Sequence, residues 1–227
     1  MYSLKTKDLY DLSHTAAAAL LAQHEYPWSA LPHIKDYVTE LIGRIESEDF
    51  YFPSPDVCIS RSAKVAESAV IKGPALIGED TEIRTGAFIR GSVIIGAGCV
   101  VGNSCELKNA ILFDGVQTPH FNYIGDSILG YRSHTGAGAI TSNVKSDKSC
   151  VRVKTKTACI ETGFKKFGAM IGDGVEIGCN SVLNPGTVIG RNSSVYPLSN
   201  VRGCVPPNSI YKSNGDIVPK IFGTSEE

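Results

Sequence analysis

The sequence lacks a surplus of either charge. Its 22 lysines and arginines and its 23 aspartates and glutamates give a formal net charge of -1. A basic surface is what attracts nucleic acid or anionic lipid, so this balance predicts neither of them as a partner. We expect the protein to bind a small molecule or another protein instead.

Long apolar runs and paired cysteines are also missing. The longest apolar run, Ala16 to Ala22, is far shorter than the roughly 18 residues that span a bilayer, so we expect no membrane anchor. The seven cysteines form no CxxC pair, and we expect no secretory leader before them. They are expected to be reduced thiols in a cytoplasmic protein, and Cys99, Cys105 and Cys179 to pack as small hydrophobic residues.

What the chain does contain is an aliphatic residue at every sixth position. A first series consists of Ile59, Val65, Ile71, Ile77, Ile83, Ile89, Ile95, Val101 and Leu107, and a second of Ile171, Ile177, Leu183, Ile189, Val195 and Val201. Neither a helical period of 3.6 nor a strand period of 2 produces this spacing. Hexapeptide repeats are typical of a parallel β-helix, in which each hexad forms a short strand with its aliphatic side chain inside. Glycine, asparagine and aspartate are expected at the corners.

Such hexad arrays resemble the left-handed parallel β-helix family, in which three hexads complete one triangular coil. Most well-known members of that family are acyltransferases that act as trimers. The resemblance implies a mainly β fold over roughly residues 59–209.

Differences in residue pattern divide the chain into three parts. We predict an N-terminal helical segment at 1–52, a β-helix at 53–209 with an inserted loop at 143–167, and a C-terminal tail at 210–227. Apolar patterns predict two helices in the first part, which we expect to pack together and to cap the first coil or assist assembly.

The hexad phase is interrupted twice. It slips after Leu107, and a short further series is formed by Tyr123, Leu129, Thr135 and Thr141. The repeat then stops until about Phe167, where a basic segment indicates an inserted loop or hairpin. Long insertions in a solenoid commonly lie on its functional face, which favours a phosphate-facing role for this loop. The alternative, a hairpin that is merely solvated, remains open.

A more specific resemblance rests on the string IRGSVIIGAGCVVGNSCELKNAIL, followed by HFNYIGDSILG and GAGAITSN. These motifs resemble the acetyltransferase half of the bifunctional bacterial N-acetylglucosamine-1-phosphate uridyltransferase, a glucosamine-1-phosphate acetyltransferase. They are more similar still to archaeal sugar-1-phosphate nucleotidylyltransferases with an acetyltransferase tail. The resemblance implies transfer of an acetyl group from acetyl-CoA to an amino-sugar phosphate by a homotrimer, on the UDP-N-acetylglucosamine pathway and without a metal. Because no nucleotidyltransferase motif precedes the hexads, we expect no synthesis of UDP-sugars.

The resemblance also assigns residues to the reaction. His120 matches the catalytic histidine of the family and Tyr123 its partner tyrosine. Ala137 matches the residue whose backbone amide faces the acetyl carbonyl. Arg90 and Lys108 match the cations that hold the sugar phosphate.

Further residues match the substrate and coenzyme contacts of the family. Asn143 corresponds to an asparagine that touches the amino sugar, and Cys179 and Pro197 line the pantetheine groove together with Ala137. His134 stands where the bacterial enzyme has an asparagine near its acetyl-transfer centre, and Val144 replaces a tyrosine. In the basic loop, Lys148 is a candidate for the substrate phosphate, and other candidates for substrate or CoA phosphates are Lys154, Lys165 and Lys166.

These residue types suit the chemistry. An amine attacks a thioester only in its neutral form, and histidine, with an unperturbed pKa near ~6.5, can accept the amine proton near neutral pH. We therefore expect His120 to be the general base. The carbonyl oxygen gains charge as the tetrahedral intermediate forms, and a backbone N–H such as that of Ala137 can stabilise it.

Two other functions remain open. The γ-class carbonic anhydrases resemble this architecture, but a zinc site of that kind needs three converging imidazoles. The repeat offers only His120 and His134. The second alternative is a non-catalytic β-helix that binds a nucleotide sugar or a protein partner, which the departures at His134 and Val144 keep open.

Overall fold

A computed structural model of the chain describes residues 2–46, 48–155 and 157–221. The N-terminal part contains short helices. They are α1 (Thr6–Leu9), α2 (Ala18–Leu21) and α3 (Ile34–Gly43), with 3₁₀ helices at Leu12–His14 and Pro27–His33. The two predicted helical regions correspond to α2 and α3, and α2 is shorter than its apolar run.

The rest of the described chain consists of short strands. The first are β1 (Phe50–Ser54), β2 (Val57–Ser60), β3 (Lys64–Val65), β4 (Val70–Ile71), β5 (Ala75–Ile77), β6 (Glu82–Ile83), β7 (Phe88–Ile89), β8 (Val93–Ile95), β9 (Val100–Asn103), β10 (Glu106–Leu112), β11 (Gln117–His120), β12 (Tyr123–Leu129), β13 (His134–Thr135) and β14 (Ile140–Thr141). They are followed by β15 (Arg152–Lys154), β16 (Cys159–Glu161), β17 (Ala169–Ile171), β18 (Glu176–Ile177), β19 (Val182–Leu183), β20 (Thr187–Ile189), β21 (Ser194–Val195), β22 (Asn200–Val201), β23 (Cys204–Val205), β24 (Ser209–Tyr211) and β25 (Ile217–Pro219).

The strands stack in parallel on three faces. The first face runs β2-β5-β8-β10-β12-β17-β20-β23, the second β3-β6-β9-β11-β13-β18-β21-β24, and the third β4-β7-β10-β12-β14-β19-β22. The long strands β10 and β12 turn a corner and serve both the first and the third face. Each chain turn thus visits three faces in order, which confirms the predicted β-helix.

The interior of the β-helix is the predicted aliphatic column. Ile77, Ile95, Leu107 and Ile189 are at most 1% exposed, because alternate residues of each strand point inward. The phase slip has a simple cause: Leu107 pairs with Ile124, and Ile124 with Thr141, so two successive coils are each one residue shorter than three full hexads. The short series therefore contains the buried Ile124, and the assignment of Tyr123 to it was wrong.

The corners are formed by residues in the left-handed region of backbone space. Asp80, Asn109 and Asn180 have φ values of 52°, 49° and 54°. Short polar side chains tolerate this conformation better than others because they can hydrogen-bond locally. The expected corner residues are thus observed.

The N-terminal segment lies along the first face instead of over the end of the β-helix. Helix α3 contacts β5, β8 and β10, and the 3₁₀ helix at Pro27–His33 contacts β12. The outward residues of these strands, including Ile94, Ile111 and Ile128, are therefore fully buried. The end of the β-helix is instead extended by β1, which pairs antiparallel with β2. The expectation that the helices cap the first coil was wrong.

The structure also shows what the inserted and terminal segments form. Strands β15 and β16 make an antiparallel hairpin within the predicted insertion. β1 crosses the predicted boundary at residue 52, and β24 crosses the one at 209 and pairs antiparallel with β25. Part of the predicted tail thus belongs to the sheet, whereas residues 222–227 lie outside the described residues. No helix in the described ranges is long and apolar enough to cross a membrane.

Candidate active site

Four of the predicted site residues are stacked at one corner of the β-helix, between the second and third faces. Gly138 N–H donates to the His120 carbonyl at 3.0 Å, which sets Ala137 one coil above His120. Asn180 N–H in turn donates to Ala137 O at 2.8 Å and Leu198 N–H to Cys179 O at 2.9 Å. His120, Ala137, Cys179 and Pro197 therefore form one column, which we call the corner column. Cys179 is exposed there, so the expectation that it packs as a small hydrophobic residue was wrong, whereas Cys99 and Cys105 are buried as expected.

A buried asparagine fixes the backbone below this column. Asn122 is 2% exposed, and its side-chain amide donates to Gly136 O at 2.9 Å and to Ala139 O at 3.2 Å. Its Oδ1 accepts from His120 N–H at 3.2 Å. The Asn122 side chain thus fixes the backbone of this corner from the interior of the β-helix. The His120 ring is exposed and makes no hydrogen bond to another described residue.

The run of small residues above His120 allows the next coil to approach closely. A Cβ on Gly136 would lie 2.7 Å from Cys179 N, closer than atoms of that kind can pack. Among the described residues, the Ala137 N–H has no hydrogen-bond acceptor. It is the type of donor that can stabilise an oxyanion, one coil spacing of about 4.8 Å above His120.

Arg90 and Lys108 are neighbours on the third face, as their spacing of one coil predicts, since their strands pair in register. Each of them faces a carboxylate. Arg90 Nη1 lies 2.6 Å from Glu106 Oε1, and Lys108 Nζ lies 3.8 Å from Asp126 Oδ1. The two predicted phosphate ligands are therefore charge-balanced in the free chain.

Asp126 joins Lys108 to the amides around it. This carboxylate is 4% exposed and accepts from Asn143 Nδ2 at 2.5 Å and from Asn109 Nδ2 at 2.9 Å. Asn143 Nδ2 also donates to the Tyr123 hydroxyl at 3.2 Å. The structure thus brings Lys108, Tyr123 and Asn143 together in one network, which we call the Asp126 cluster.

The phenol of Tyr123 is held in its protonated form. Burial raises the pKa of Tyr123, and the Asp126 and Glu106 carboxylates raise this pKa further. The hydroxyl therefore keeps a proton that it can donate to a substrate oxygen.

The N-terminal segment supports the Asp126 cluster from behind. Asn109 Nδ2, besides its bond to Asp126, lies 3.3 Å from the carbonyl of Leu31. Trp28 stacks on Phe167 with ring centroids 5.9 Å apart, and Phe167 N–H donates to the carbonyl of Asn143 at 2.9 Å. The segment therefore helps to place two cluster residues, in addition to covering the first face.

His134 lies apart from the corner column and the Asp126 cluster. It belongs to β13, where its Nδ1 is 2.8 Å from Glu176 Oε2, and it lines a shallow cleft with Gln117 and Arg132. Lys148 sits in a turn of the insertion at φ 59°. Neither of these side chains bonds to the cluster in the described part of the chain, so their roles as substrate ligands stay predictions.

The remaining lysine candidates occupy the insertion. Lys165 and Lys166 are exposed, and Lys154 lines a basic pocket described below. Across residues 2–46, 48–155 and 157–221, no three His, Cys, Asp or Glu side chains group in a way that could hold a metal ion.

Three residues of the site were not found from the sequence. Asp126 stands in the motif YIGD, Glu106 in ELK and Asn122 in HFNY. For Asp126 the motif does not indicate its partners, because Lys108, Asn109 and Asn143 lie on other coils. For Asn122 the sequence gives no signal, because its role depends on carbonyls of the next coil.

Two family models match the chain. The GMPPB C-terminal domain matches residues 71–162, and the bacterial transferase hexapeptide (six repeats) matches residues 168–203. The second match agrees with the left-handed form of β-helix that the hexads predict, and it confirms the repeat.

Curated relatives extend the comparison. The chain is 34% identical over 151 residues to a bifunctional sugar-1-phosphate nucleotidylyltransferase/acetyltransferase of Sulfurisphaera tokodaii, covering 59% of this chain and 38% of the relative. It is 33% identical over 202 residues to the bifunctional protein GlmU of Methanococcus maripaludis, covering 86% of this chain and 48% of the relative. The chain thus matches less than half of the length of either relative.

Among solved structures, a UDP-N-acetylglucosamine acyltransferase of Francisella novicida aligns with a TM-score of 0.38 and 16% identity, over 73% of this chain and 68% of that one. These values are too low to compare sites. The family matches and the relatives nevertheless confirm the resemblance seen in the sequence. The chain is a hexapeptide-repeat β-helix protein, and it is similar to part of the GlmU-type bifunctional proteins.

Proposed function

We propose that the protein is an acetyl-CoA-dependent N-acetyltransferase that acts on an amino-sugar phosphate of the glucosamine-1-phosphate class. The observation that carries this proposal is the corner column: an exposed imidazole, His120, stands directly below the Ala137 amide, which has no acceptor among the described residues. The Asp126 cluster begins a few positions further along the chain, at Tyr123. A base, an oxyanion donor and polar groups suited to a sugar phosphate thus lie on neighbouring coils.

In the proposed reaction, His120 accepts a proton from the ammonium group of the sugar. The neutral nitrogen forms a bond to the acetyl carbonyl carbon, and the carbonyl oxygen takes up the electron pair beside the N–H of Ala137. The C–S bond then breaks as the C=O bond re-forms, and CoA leaves as a thiolate that takes up the second proton, which the nitrogen loses as it becomes an amide. The first proton passes from His120 to solvent. Acetyl-CoA is a co-substrate in this scheme and lies against Cys179 and Pro197.

The charges of the site give the sugar phosphate two cations to bind. Arg90 is 43% exposed and Glu106 33% exposed, so this ion pair can separate when a phosphate competes for the guanidinium. Asp126, by contrast, is buried and stays with Lys108. We infer that Arg90 turns to the phosphate, whereas Lys108 contributes from a fixed position.

We also propose that the protein is a homotrimer and that it acts in the cytoplasm. The trimer is supported by Phe121 and Leu198, which follow His120 and Pro197 at positive φ and are 61% and 74% exposed. Apolar side chains this exposed beside a site are typical of surfaces that a second subunit covers. Light scattering on the purified protein tests the trimer, and a monomeric mass at micromolar concentration would contradict it.

The function itself is tested by release of the CoA thiol. Purified protein should release thiol from acetyl-CoA in the presence of glucosamine 1-phosphate or a related amino-sugar phosphate. His120→Gln should lower kcat by about 100-fold or more, because a general base contributes about 10² to 10⁴ to the rate. His33→Gln, in the N-terminal segment, serves as the matched control and should leave kcat unchanged.

Two results would count against the proposal. An unchanged kcat in His120→Gln would remove His120 from the chemistry. Binding of a nucleotide sugar or of acetyl-CoA without any thiol release would support the non-catalytic alternative, which the separation of His134 from the cluster favours.

A further inference from the structure

The hairpin β15–β16 folds against the upper coils, at the corner between the third and first faces. A Cβ on Gly186 would lie 2.7 Å from the carbonyl oxygen of Arg152, and a Cβ on Gly203 would lie 2.8 Å from that of Lys154. Both glycines have positive φ, at 83° and 79°. These two corner positions must be glycine for the hairpin to lie this close, so its position on the coils is built into the sequence.

The contact encloses a basic pocket of about 190 Å³. The hairpin side supplies Arg152 and Lys154, the coil side supplies Arg202, and Lys145 at the start of the insertion completes the lining of cations. Asn184 adds a side-chain amide. Segments that lie far apart in the chain thus direct their positive charge into one cavity.

Two of these four cations have a carboxylate partner, and the other two have none among the described residues. Lys145 pairs with Asp147 at 3.2 Å and Arg152 with Glu161 at 2.8 Å. Lys154 and Arg202 make no ion pair within the described part of the chain, and no carboxylate residue described there lines the cavity. Because like charges repel, uncompensated cations in one small pocket favour an anion between them.

This pocket is separate from the cations of the Asp126 cluster. On the third face, Lys108 directly follows the inward Leu107 of β10, and Arg202 directly follows the inward Val201 of β22. The strands between them stack in the order β10-β12-β14-β19-β22. Four strand spacings of about 4.8 Å put these side chains roughly 19 Å apart along the axis. One phosphate group cannot contact both of them.

The size and donor set of the pocket suggest its ligand. At about 30 Å³ per water molecule, the cavity holds a compact group and a few waters, but not a polymer. Guanidinium groups bind phosphate oxygens in pairs, and lysine adds a point charge. A terminal phosphate monoester has the charge and the dimensions that match.

We propose that Lys145, Arg152, Lys154 and Arg202 form a second phosphate-binding pocket, which takes a phosphoryl group of one of the two substrates. The identity of the ligand rests on the proposed function, but the pocket itself does not. The phosphate can come from the 3′-phosphate of CoA or from the amino-sugar phosphate. In either case the hairpin, and not only the β-helix, contributes to substrate affinity.

Calorimetric binding to the full-length protein distinguishes these sources. One arm compares CoA with dephospho-CoA, which lacks the 3′-phosphate, and the other compares glucosamine 1-phosphate with glucosamine. The variant is the double substitution Lys154→Gln and Arg202→Gln. The matched control is Lys35→Gln with Arg44→Gln, which removes the same two charge types from α3 and the residue after it.

The double variant should bind one of the two phosphate-bearing ligands at least about tenfold more weakly, because charge-assisted hydrogen bonds are lost. Its affinity for the phosphate-free partner of that ligand, and both affinities of the control, should stay within twofold. The arm in which the loss appears identifies the source of the phosphate.

Several outcomes would overturn the pocket. They are unchanged affinities in both arms, an equal loss for the phosphate-free partner, and a wild type that binds neither phosphate-bearing ligand. Loss of phosphate-dependent binding in a protein that shows no turnover would support the pocket and refute the acetyltransferase. The two proposals can therefore fail separately.

Discussion

The outward residues of the first face should contribute far more to stability than outward residues elsewhere. Ile111 in β10 and Ile140 in β14 both point out of the β-helix, but Ile111 is fully buried under the N-terminal segment and Ile140 is 38% exposed. The substitutions Ile111→Ala and Ile140→Ala remove the same atoms from outward strand positions. They differ chiefly in what covers the side chain.

The expected magnitudes follow from burial. Truncating a fully buried isoleucine to alanine costs about 2–5 kcal/mol, which includes the cavity that remains. A partly exposed isoleucine loses only part of its transfer free energy of about 1.5–3 kcal/mol and leaves no closed cavity, so about 1 kcal/mol is expected for Ile140. The difference between the variants should be about 2 kcal/mol.

Urea denaturation measures this difference through two signals. Far-UV circular dichroism follows the strands, and fluorescence follows Trp28, the single tryptophan, which is 2% exposed in the N-terminal segment. Both variants are compared at one protein concentration, with their masses checked by light scattering. Equal losses of unfolding free energy in Ile111→Ala and Ile140→Ala would refute the assignment of the N-terminal segment to the first face.

Three further predictions concern the site and the hairpin. Asp126→Asn should raise the KM for the amino-sugar phosphate about tenfold and leave the KM for acetyl-CoA within twofold, because Lys108 loses a charged partner. Initial-rate kinetics measure both KM values, and an equal rise in the two would argue against a positioning role for Asp126. Acetyl-CoA should slow iodoacetamide labelling of the exposed Cys179 but not of the exposed Cys159, as measured by peptide mass spectrometry. Equal protection of the two cysteines would contradict binding of the coenzyme at Cys179. Gly186→Val should lower the free energy of unfolding by about 1–3 kcal/mol through strain at φ 83°, and an unchanged urea midpoint would contradict the close packing of the hairpin.

Most of the β-helix could be predicted because its signal is local and repeated. Each strand contributes an inward aliphatic residue such as Ile77 or Ile95, and the period survives without knowledge of any contact. The two shortened coils between Leu107 and Thr141 were harder to place. Each missing residue moves every later side chain, and only the register shows which neighbour takes the inward position.

The location of the N-terminal segment was misjudged although a signal exists. On the first face the strands read Ala75–Ile77 and Val93–Ile95, with three apolar residues in a row. On the second face a polar outward residue precedes the inward aliphatic one, as in Glu82–Ile83, and the third face mixes apolar outward residues with polar ones. An outward apolar residue on every coil of one face indicates a cover. This pattern can be recognised only after the coils are aligned.

The candidate site was predicted in part for the same reason. Ala137 stacks on His120 and Pro197 on Cys179 because the members of each pair are one coil apart, so the corner column follows from arithmetic once the coil length is known. His134 follows His120 by less than a full coil and pairs with Gln117, which places it along the second face. The role of Asp126 could not be predicted, because its partners Lys108, Asn109 and Asn143 lie on the coils on either side of it.

The N-terminal segment changes how the β-helix should fold and unfold. In a solenoid each coil contacts only its neighbours, so a free end can fray step by step. Here the Tyr2 hydroxyl donates to the carbonyl of Cys204, and the carbonyl of Leu9 accepts from Asp173 N–H at 3.2 Å. The N-terminal segment thus completes its contacts only when the last coils are in place. Because it connects coils along the length of the β-helix, we expect them to unfold in a single cooperative transition. Contacts between residues this far apart in sequence also slow folding.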